Sequence, residues 1–252
     1  MKPLNFFIIY HDKLFQENTA GFPADFPFTW VAVNEKIPKV FPEWVPKNSL
    51  LKEYEMKIHN PLQQMTNFYQ NSVFFHLYWN KELINSKYIG FGQYDMSYSP
   101  EDFMKVYDTL KDDTADKIIP AFLYPFDALC AKEMRNVWEE IFIKPYNSYY
   151  GTSHTLKTIE HLPLSLLHTF IMPTWFFLHM MPFVESLLPK LLKAMNWDTR
   201  HLAGHLERVF ALCISCGIVE GKFRALVPLR GISHIDAQHS VDELRGIGNV
   251  KY

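Results

Sequence analysis

Two kinds of hydrophobic pattern alternate along the chain. Short apolar runs bounded by turn-forming residues are typical of buried strands, and they occupy residues 5–10, 28–33, 88–91, 117–122 and 166–172. Longer stretches repeat their apolar residues at helical spacing, and they occupy residues 62–83, 100–110, 127–143, 182–195 and 199–216. Strands that alternate with helices predict an α/β fold, with a mostly parallel sheet flanked by helices.

The 252 residues are enough for one large domain or two small ones. Ser99 and Pro100 favour a helix start, because serine caps the first turn and proline fits its first position. Residues 37–46 are rich in proline and predict a loop. Residues 231–252 combine turn-forming residues, mixed charge and little periodicity, so we expect a surface loop or a mobile end there.

One long stretch, residues 161–183, contains no Asp, Glu, Lys or Arg and is nearly long enough to span a bilayer. Its three prolines argue against a membrane helix, because each removes a hydrogen bond that lipid cannot replace. We therefore expect a buried strand followed by a helix. A membrane span and a peripheral membrane contact are the alternatives, since apolar patches also mark membrane surfaces.

Composition narrows the class of protein. The 252 residues are 48% hydrophobic and 21% charged, which is typical of a folded globular chain. A net charge of −2 gives no overall basic field for nucleic acid. Three cysteines do not form a disulfide framework and indicate a reducing, cytoplasmic compartment. The 16% of aromatic residues predicts an aromatic core or a cleft that stacks sugar rings or bases.

The strongest chemical signal lies where the third apolar run ends. Residues 88–91 lead directly into Gly92, Gln93, Tyr94 and Asp95. Ligands of open α/β sheets bind beyond the carboxyl ends of the strands, and glycines allow close approach of the backbone. Asp95 is therefore predicted to contact a substrate or a metal ion. The alternative is an exposed acid in a turn.

A second candidate pair, Glu207 and Arg208, lies inside the apolar helical run 199–216. Charged residues are seldom buried without a reason, so the pair is predicted to act in a site. Arg208 can bind an anionic group through two parallel hydrogen bonds, and Glu207 can act as a base or orient a loop. A solvent-exposed ion pair is the alternative.

The same run carries the ligand types of a zinc site, at His201, His205, Cys213 and Cys216. These residues fall on one predicted helix, along which they would spread over roughly 22 Å. Four ligands so far apart do not converge on one ion, so we do not predict zinc. The two cysteines are expected to be small core residues.

Several fragments, in order along the chain, resemble the glycosyltransferases of capsular-polysaccharide biosynthesis. The principal ones are NPLQQMTNFYQNSVFFHLYWN (residues 60–80) and YIGFGQYDMSY (residues 88–98). The others are FFIIYHDK (6–13), DKIIPAF (116–122), YYGTSH (149–154), HTFIMPTWFFLHMMPFVESLL (168–188) and HLAGHLERVFALCI (201–214).

The resemblance implies a single Rossmann-like domain of the GT-A type, which transfers a sugar from a nucleotide-diphosphate donor to a glycan acceptor. Asp95 and Glu207 would be catalytic, with Asp95 as the metal-binding acid or a sugar contact. The expected donor contacts lie at two strand ends and on the last helix: Tyr10, His11, Asp12, Lys13, Gln93, Tyr94 and Arg208. Acceptor sugars are expected to stack on a polar aromatic cluster: Tyr149, Tyr150 and His154.

The chain departs from the family pattern at the strand end. Where the family has His-Tyr-Arg-Arg, this chain has Gln93, Tyr94, Asp95 and Met96. One carboxylate holds Mn²⁺ or Mg²⁺ less firmly than two, so dependence on these ions and metal-independent catalysis both stay open. Two other functions also stay open: a non-catalytic glycan-binding module and a scaffold at the membrane periphery.

Overall fold

The computed structural model describes residues 1–10, 14–36, 41–65, 68–111, 116–126, 135–162 and 164–235. Its centre is a seven-stranded sheet in the order β3-β2-β1-β4-β7-β6-β8, beside a small sheet of β5 and β9. The strands are β1 Lys2–Tyr10, β2 Phe28–Ala32, β3 Leu50–Lys52, β4 Ser86–Gln93, β5 Met96–Tyr98, β6 Lys117–Tyr124, β7 Leu164–Pro173, β8 Ala225–Leu226 and β9 Ile232–His234.

Six of the seven strands of the main sheet run in one direction. Strand β1 is parallel to β2 and β4, β2 is parallel to β3, and β6 is parallel to β8. Only β7 is antiparallel to its two neighbours, β4 and β6. The chain returns to the carboxyl edge of the sheet before β7 begins, opposite Tyr124 at the end of β6. The prediction of a mostly parallel α/β sheet is confirmed.

Helices cover both faces of the sheet. They are α1 Pro61–Met65, α2 Asn71–Trp79, α3 Pro100–Leu110, α4 (residues 135–150, with a π-helical centre at Trp138–Ile143), α5 Leu156–Ile159, α6 Thr174–Ala194 and α7 Leu202–Val219. Short 3-10 turns occupy Gln16–Asn18, Lys47–Ser49, Glu53–Glu55, Lys81–Leu83 and Thr199–His201. Helix α3 begins as predicted, since the Ser99 side chain accepts a hydrogen bond from the Asp102 amide.

The central strand β1 is buried on both faces, as expected for an inner parallel strand. Phe6 and Ile8 face one core with the apolar side of α3, and Phe7 and Ile9 face a larger core with α2, α6 and α7. The aromatic content of the chain is concentrated in these two cores. A large aromatic core, the first reading of the composition, is therefore confirmed.

Gly90 and Gly92 have a packing role. A Cβ atom at Gly90 would lie 2.4 Å from the Phe6 ring, and one at Gly92 would lie 2.1 Å from the Tyr98 hydroxyl. Neither distance is compatible with a side chain. The two glycines therefore make room for neighbouring aromatic side chains, where the sequence suggested the close approach of a ligand.

Two predicted helices have different bounds in the structure. The stretch 62–83 is not one helix, because the chain turns at Tyr69, whose φ is +49°, and forms α1 and α2 instead. Helix α6 begins at Thr174 and contains Pro182 and Pro189. Pro182 was expected to start the helix, because proline removes one helical hydrogen bond. The larger apolar core, to which α6 contributes eight buried side chains, outweighs that loss.

The long uncharged stretch is confirmed as a buried strand followed by a helix, β7 and α6. In the part of the chain that the structure describes, Thr199–Val219 is long and apolar enough to cross a membrane, but 61% of its apolar 18-residue stretch is buried inside the fold. The core helix of a folded domain can be equally long and apolar.

The predicted loop 37–46 is described from residue 41 onward, and the predicted helix 127–143 from residue 135 onward.

The predicted tail, residues 231–252, begins with a strand. Its residues 232–234 form β9, which pairs with β5, and Ile235 donates a backbone hydrogen bond to the Asp95 carbonyl. The start of this segment therefore packs against the turn that carries Asp95. Residues 236–252 lie outside the described residues.

Candidate active site at the carboxyl edge of the sheet

Two neighbouring strands end side by side at the carboxyl edge of the sheet. Ile9 is the penultimate residue of β1, and it is in register with Gln93, the last residue of β4. Tyr94 and Asp95 form the tight turn between β4 and β5, and both are half-buried. Asp95 therefore lies where the sequence predicted it, directly beyond the end of an inner strand. Its charge adds to the effect of burial in raising the pKa of Tyr98.

Asn18 fixes the turn that carries Asp95. Its side-chain amide donates hydrogen bonds to the Tyr94 carbonyl at 2.7 Å and to the Met96 carbonyl at 2.5 Å. The asparagine itself is fully buried. The Tyr94 ring stacks on Phe15 at a centroid distance of 6.3 Å. The turn is thus held from both sides by residues that follow β1.

A distortion of β7 links β4 to helix α7. Leu167 and His168 have φ values of +59° and +43°, a conformation that costs of order 1–3 kcal/mol per residue. The side-chain amide of Gln93 donates a hydrogen bond to the Leu167 carbonyl at 2.7 Å. The Glu207 carboxylate accepts a hydrogen bond from the backbone amide of Leu167. Two predicted site residues from separate elements therefore contact the backbone of the same residue, Leu167.

Glu207 points toward the sheet. Burial raises the pKa of its carboxyl, against the opposing effects of the Leu167 amide and the Arg208 charge. A raised pKa makes the ionised carboxylate a stronger base. Glu207 is not part of a solvent-exposed ion pair, because it is half-buried and its carboxylate is hydrogen-bonded to β7.

Arg208 lies beside Glu207 on α7. Its Nη1 donates to the Gly204 carbonyl at 2.8 Å. Its Nε is buried and has no hydrogen-bond partner among the described residues. His205, one turn away from Arg208, has its pKa lowered by burial and by that arginine's charge. The first half of α7 thus carries an acid that contacts β7, with a guanidinium and a neutral imidazole on neighbouring positions of the same helix.

Sequence reasoning missed His168. The residue is 3% exposed, and neither ring nitrogen has a hydrogen-bond partner among the described residues. Its ring packs against Phe74 at 4.9 Å and Phe210 at 5.3 Å. Burial lowers its pKa to about 3, so the imidazole is neutral near pH 7. The available signal was a histidine within an otherwise apolar strand.

The predicted nucleotide contacts at the end of β1 are only partly described. Tyr10 is buried, its hydroxyl has no partner among the described residues, and burial raises its pKa. Its ring meets Phe41 edge-on at 6.5 Å. His11, Asp12 and Lys13 lie outside the described residues, and their contact with a donor stays a prediction.

The predicted acceptor cluster lies at the opposite edge of the sheet. Tyr150 donates to the His179 carbonyl at 3.0 Å. His179 lies in the second turn of α6, which begins beside Ser86 at the start of β4. His154 contacts Glu220, just after α7, at 2.8 Å. The structure therefore does not bring Tyr149, Tyr150 and His154 together with Asp95 and Glu207.

The residues at the end of β4 could hold a metal ion only together with ligands from a bound substrate. Among the residues that the structure describes, no group of three or more His, Cys, Asp or Glu side chains is placed to hold an ion. Mg²⁺ is commonly held by one or two carboxylates together with substrate phosphates. Asp95 therefore fits an ion that a bound diphosphate also ligates.

Comparison with known proteins supports the fold. No protein-family model matches the sequence, and no curated protein matches it. Among solved structures, the fold is similar to the apo structure of WbbM, a bifunctional glycosyltransferase, with a TM-score of 0.61 and 14% identity. The match covers 94% of this chain and 46% of WbbM, so the chain spans about half of that protein's length. The Rossmann-like fold found in glycosyltransferases is thereby confirmed, whereas membership of the capsular-polysaccharide family is not.

Proposed function

We propose that this chain is a glycosyltransferase, which moves a sugar from a nucleotide-diphosphate donor to a hydroxyl group of a glycan acceptor. The observation that carries the proposal is the similarity of fold to a bifunctional glycosyltransferase over 94% of the chain. The position of Gln93 and Asp95 at the carboxyl edge supports it, because that edge is where α/β sheets bind ligands, and Glu207 contacts Leu167 beside Gln93.

Glu207 is proposed as the general base that accepts the proton of the acceptor hydroxyl. The Leu167 amide holds one carboxylate oxygen, which orients the group, and burial raises the pKa of the carboxyl. General bases of this kind contribute about 10²–10⁴-fold to a rate. Arg208, whose Nε has no partner among the described residues, is proposed to neutralise the departing diphosphate.

Asp95 and Gln93 are proposed to face the donor's sugar and diphosphate. In the metal-dependent form of the proposal, Asp95 and the donor's phosphates together would hold Mn²⁺ or Mg²⁺, which stabilises the leaving diphosphate. In the metal-independent form, Arg208 and Lys13 supply the positive charge. Tyr94, at the end of β4, is proposed to contact the base and ribose, together with His11 and Asp12; Tyr10 has no exposed surface for such a contact.

A transfer assay with the full chain tests the proposal. Wild-type protein should release nucleoside diphosphate from at least one nucleotide sugar, slowly without acceptor and faster with it. Asp95→Ala should abolish release while the protein stays folded. Asp108→Ala is the matched control, because Asp108 is an exposed carboxylate on α3 paired with Lys111 at 2.7 Å, and it should behave as wild type.

The results also separate the alternatives. A protein that binds glycans but hydrolyses no nucleotide sugar would be a binding module, and the proposal would be wrong. Omitting Mn²⁺ and Mg²⁺ decides between the two forms of the reaction. The enzyme is proposed to act in the cytoplasm, on nucleotide sugars present there. Sedimentation with liposomes tests whether it also contacts a membrane surface.

A further inference from the structure

A cavity of about 500 Å³ lies on the flank of the domain, outside the strand-end site. This volume is within the range typical of small-molecule sites. The cavity is formed by the segment that follows β3 and by the end of α2, away from the part of α2 that contacts His168. Its walls are Ile58, His59, Asn60, Tyr78, Trp79 and Lys81.

Buried polar side chains hold one wall of this cavity in place. Asn80, 1% exposed, accepts a hydrogen bond from the Ile58 amide at 2.9 Å and donates to the Ile58 carbonyl at 2.7 Å. The Asn60 amide donates to Nε2 of His76 at 2.9 Å. Because that nitrogen accepts, the ring proton lies on Nδ1, which donates to Glu53 at 2.6 Å. The segment from Ile58 to Asn60 is thus fixed at one end to Asn80, the residue that follows α2, and at the other end to His76 of α2.

Burying the Glu53–His76 pair costs free energy, so the pair is expected to have a structural role. Glu53 and His76 have fully buried side chains, and burying a carboxylate is costly unless it is hydrogen-bonded. The pair lies behind the segment that lines the cavity, and its imidazole accepts the hydrogen bond of the Asn60 amide. The polar pair does something that apolar residues cannot: it fixes the backbone that lines the cavity.

The groups that line the cavity are aromatic or polar and mostly uncharged. The Trp79 indole donates to Glu185 at 2.9 Å, which fixes the orientation of its ring. The Gln64 amide contacts His59 Nε2 at 2.7 Å. Burial and the neighbouring His76 lower the pKa of His59, which favours its neutral form. Among the six lining residues, Lys81 is the one permanent cation, too few for a polyanion.

The aromatic surface continues beyond the cavity. Trp79, which lines this cavity, donates to Glu185 on α6. The next residue on α6, Ser186, lines a second cavity of about 290 Å³ between α4 and α6, together with Tyr149, Ser148 and Lys190. The two cavities therefore lie on either side of Glu185, which suits an extended ligand more than a compact one.

We infer that the Trp79 cavity is a second carbohydrate-binding site, which holds sugar units of an acceptor chain far from its reacting end. Sugar rings have apolar faces that pack on aromatic rings, and hydroxyl groups that pair with imidazole, amide and ammonium groups. The inference rests on the proposed function, because it takes the acceptor to be a glycan. It also gives Tyr149, a predicted acceptor contact, a role at its actual position.

Titration of the full chain with linear hexasaccharides of glucose, galactose, mannose and N-acetylglucosamine, followed by calorimetry, tests this inference. At least one should bind wild-type protein, and Tyr78→Ala should weaken that binding at least tenfold. Tyr78→Phe, which keeps the ring, should retain most of it. Trp197→Ala is the matched control, since Trp197 is 68% exposed but lines neither cavity, and it should bind as wild type.

Lys81→Ala, at an exposed position, provides an independent variant should Tyr78→Ala fail to fold, and it should weaken binding several-fold. Equal binding by wild type and a folded cavity variant, or no binding of any hexasaccharide, would overturn the inference. Release of nucleoside diphosphate without acceptor does not involve this cavity. If only the carbohydrate-site inference is wrong, wild type and Tyr78→Ala will both still hydrolyse the donor. If the proposed glycosyltransferase function is wrong, neither protein will hydrolyse it.

Discussion

Acid should destabilise this protein through His168. An ordinary histidine has a pKa near 6.5, and burial lowers that of His168 to about 3. Between those values the unfolded chain binds a proton that the folded chain does not, so the free energy of unfolding falls as the pH falls. From these two pKa values, His168 alone removes about 2 kcal/mol of stability between pH 8 and pH 5.

Urea denaturation of wild type and His168→Leu at both pH values measures this contribution. The backbone at this position has a φ of +43°, so leucine adds strain, but that strain is the same at both pH values. We expect His168→Leu to lose about 2 kcal/mol less than wild type between pH 8 and pH 5. Equal losses in the two proteins would refute the reasoning, because they would mean that the imidazole is protonated or solvated in the fold.

Two further changes test the packing around the site. Gly92→Ala should lower the free energy of unfolding by about 1–3 kcal/mol, since its Cβ would lie 2.1 Å from the Tyr98 hydroxyl; thermal denaturation measures this, and an unchanged Tm would contradict the packing. Asn18→Ala removes the two hydrogen bonds that fix the turn carrying Asp95, so it should cost about 2 kcal/mol and raise KM for the donor. A normal KM in a destabilised Asn18→Ala protein would show that the turn does not position the donor.

The sequence predicted the inner strands well. Residues 5–10 and 88–91 lie within β1 and β4, because an apolar run between turn-forming residues has few other stable arrangements in a folded chain. Asp95 was located for the same reason, as the first acid after such a run. The short strands β3 and β8 were missed, since their two or three residues give no measurable periodicity.

The parts that sequence reasoning did not predict depend on tertiary contacts. The left-handed backbone at Leu167 and His168 is held by Gln93 and Glu207, which are distant in sequence. Local preference disfavours that conformation, so no local pattern indicates it. Likewise, Tyr149 looked like part of the site, but which edge of the sheet it reaches depends on the path of α4.

The central claim is that Glu207 is the base of a glycosyl transfer at the carboxyl edge of the sheet. Glu207→Gln tests it most directly, because glutamine can still accept the Leu167 amide hydrogen bond but cannot take a proton. With the donor and acceptor of the wild-type reaction, we predict that kcat falls by about 10²–10⁴-fold, while the thermal shift produced by the donor is unchanged. A kcat within a few-fold of wild type in the folded Glu207→Gln protein would contradict the account.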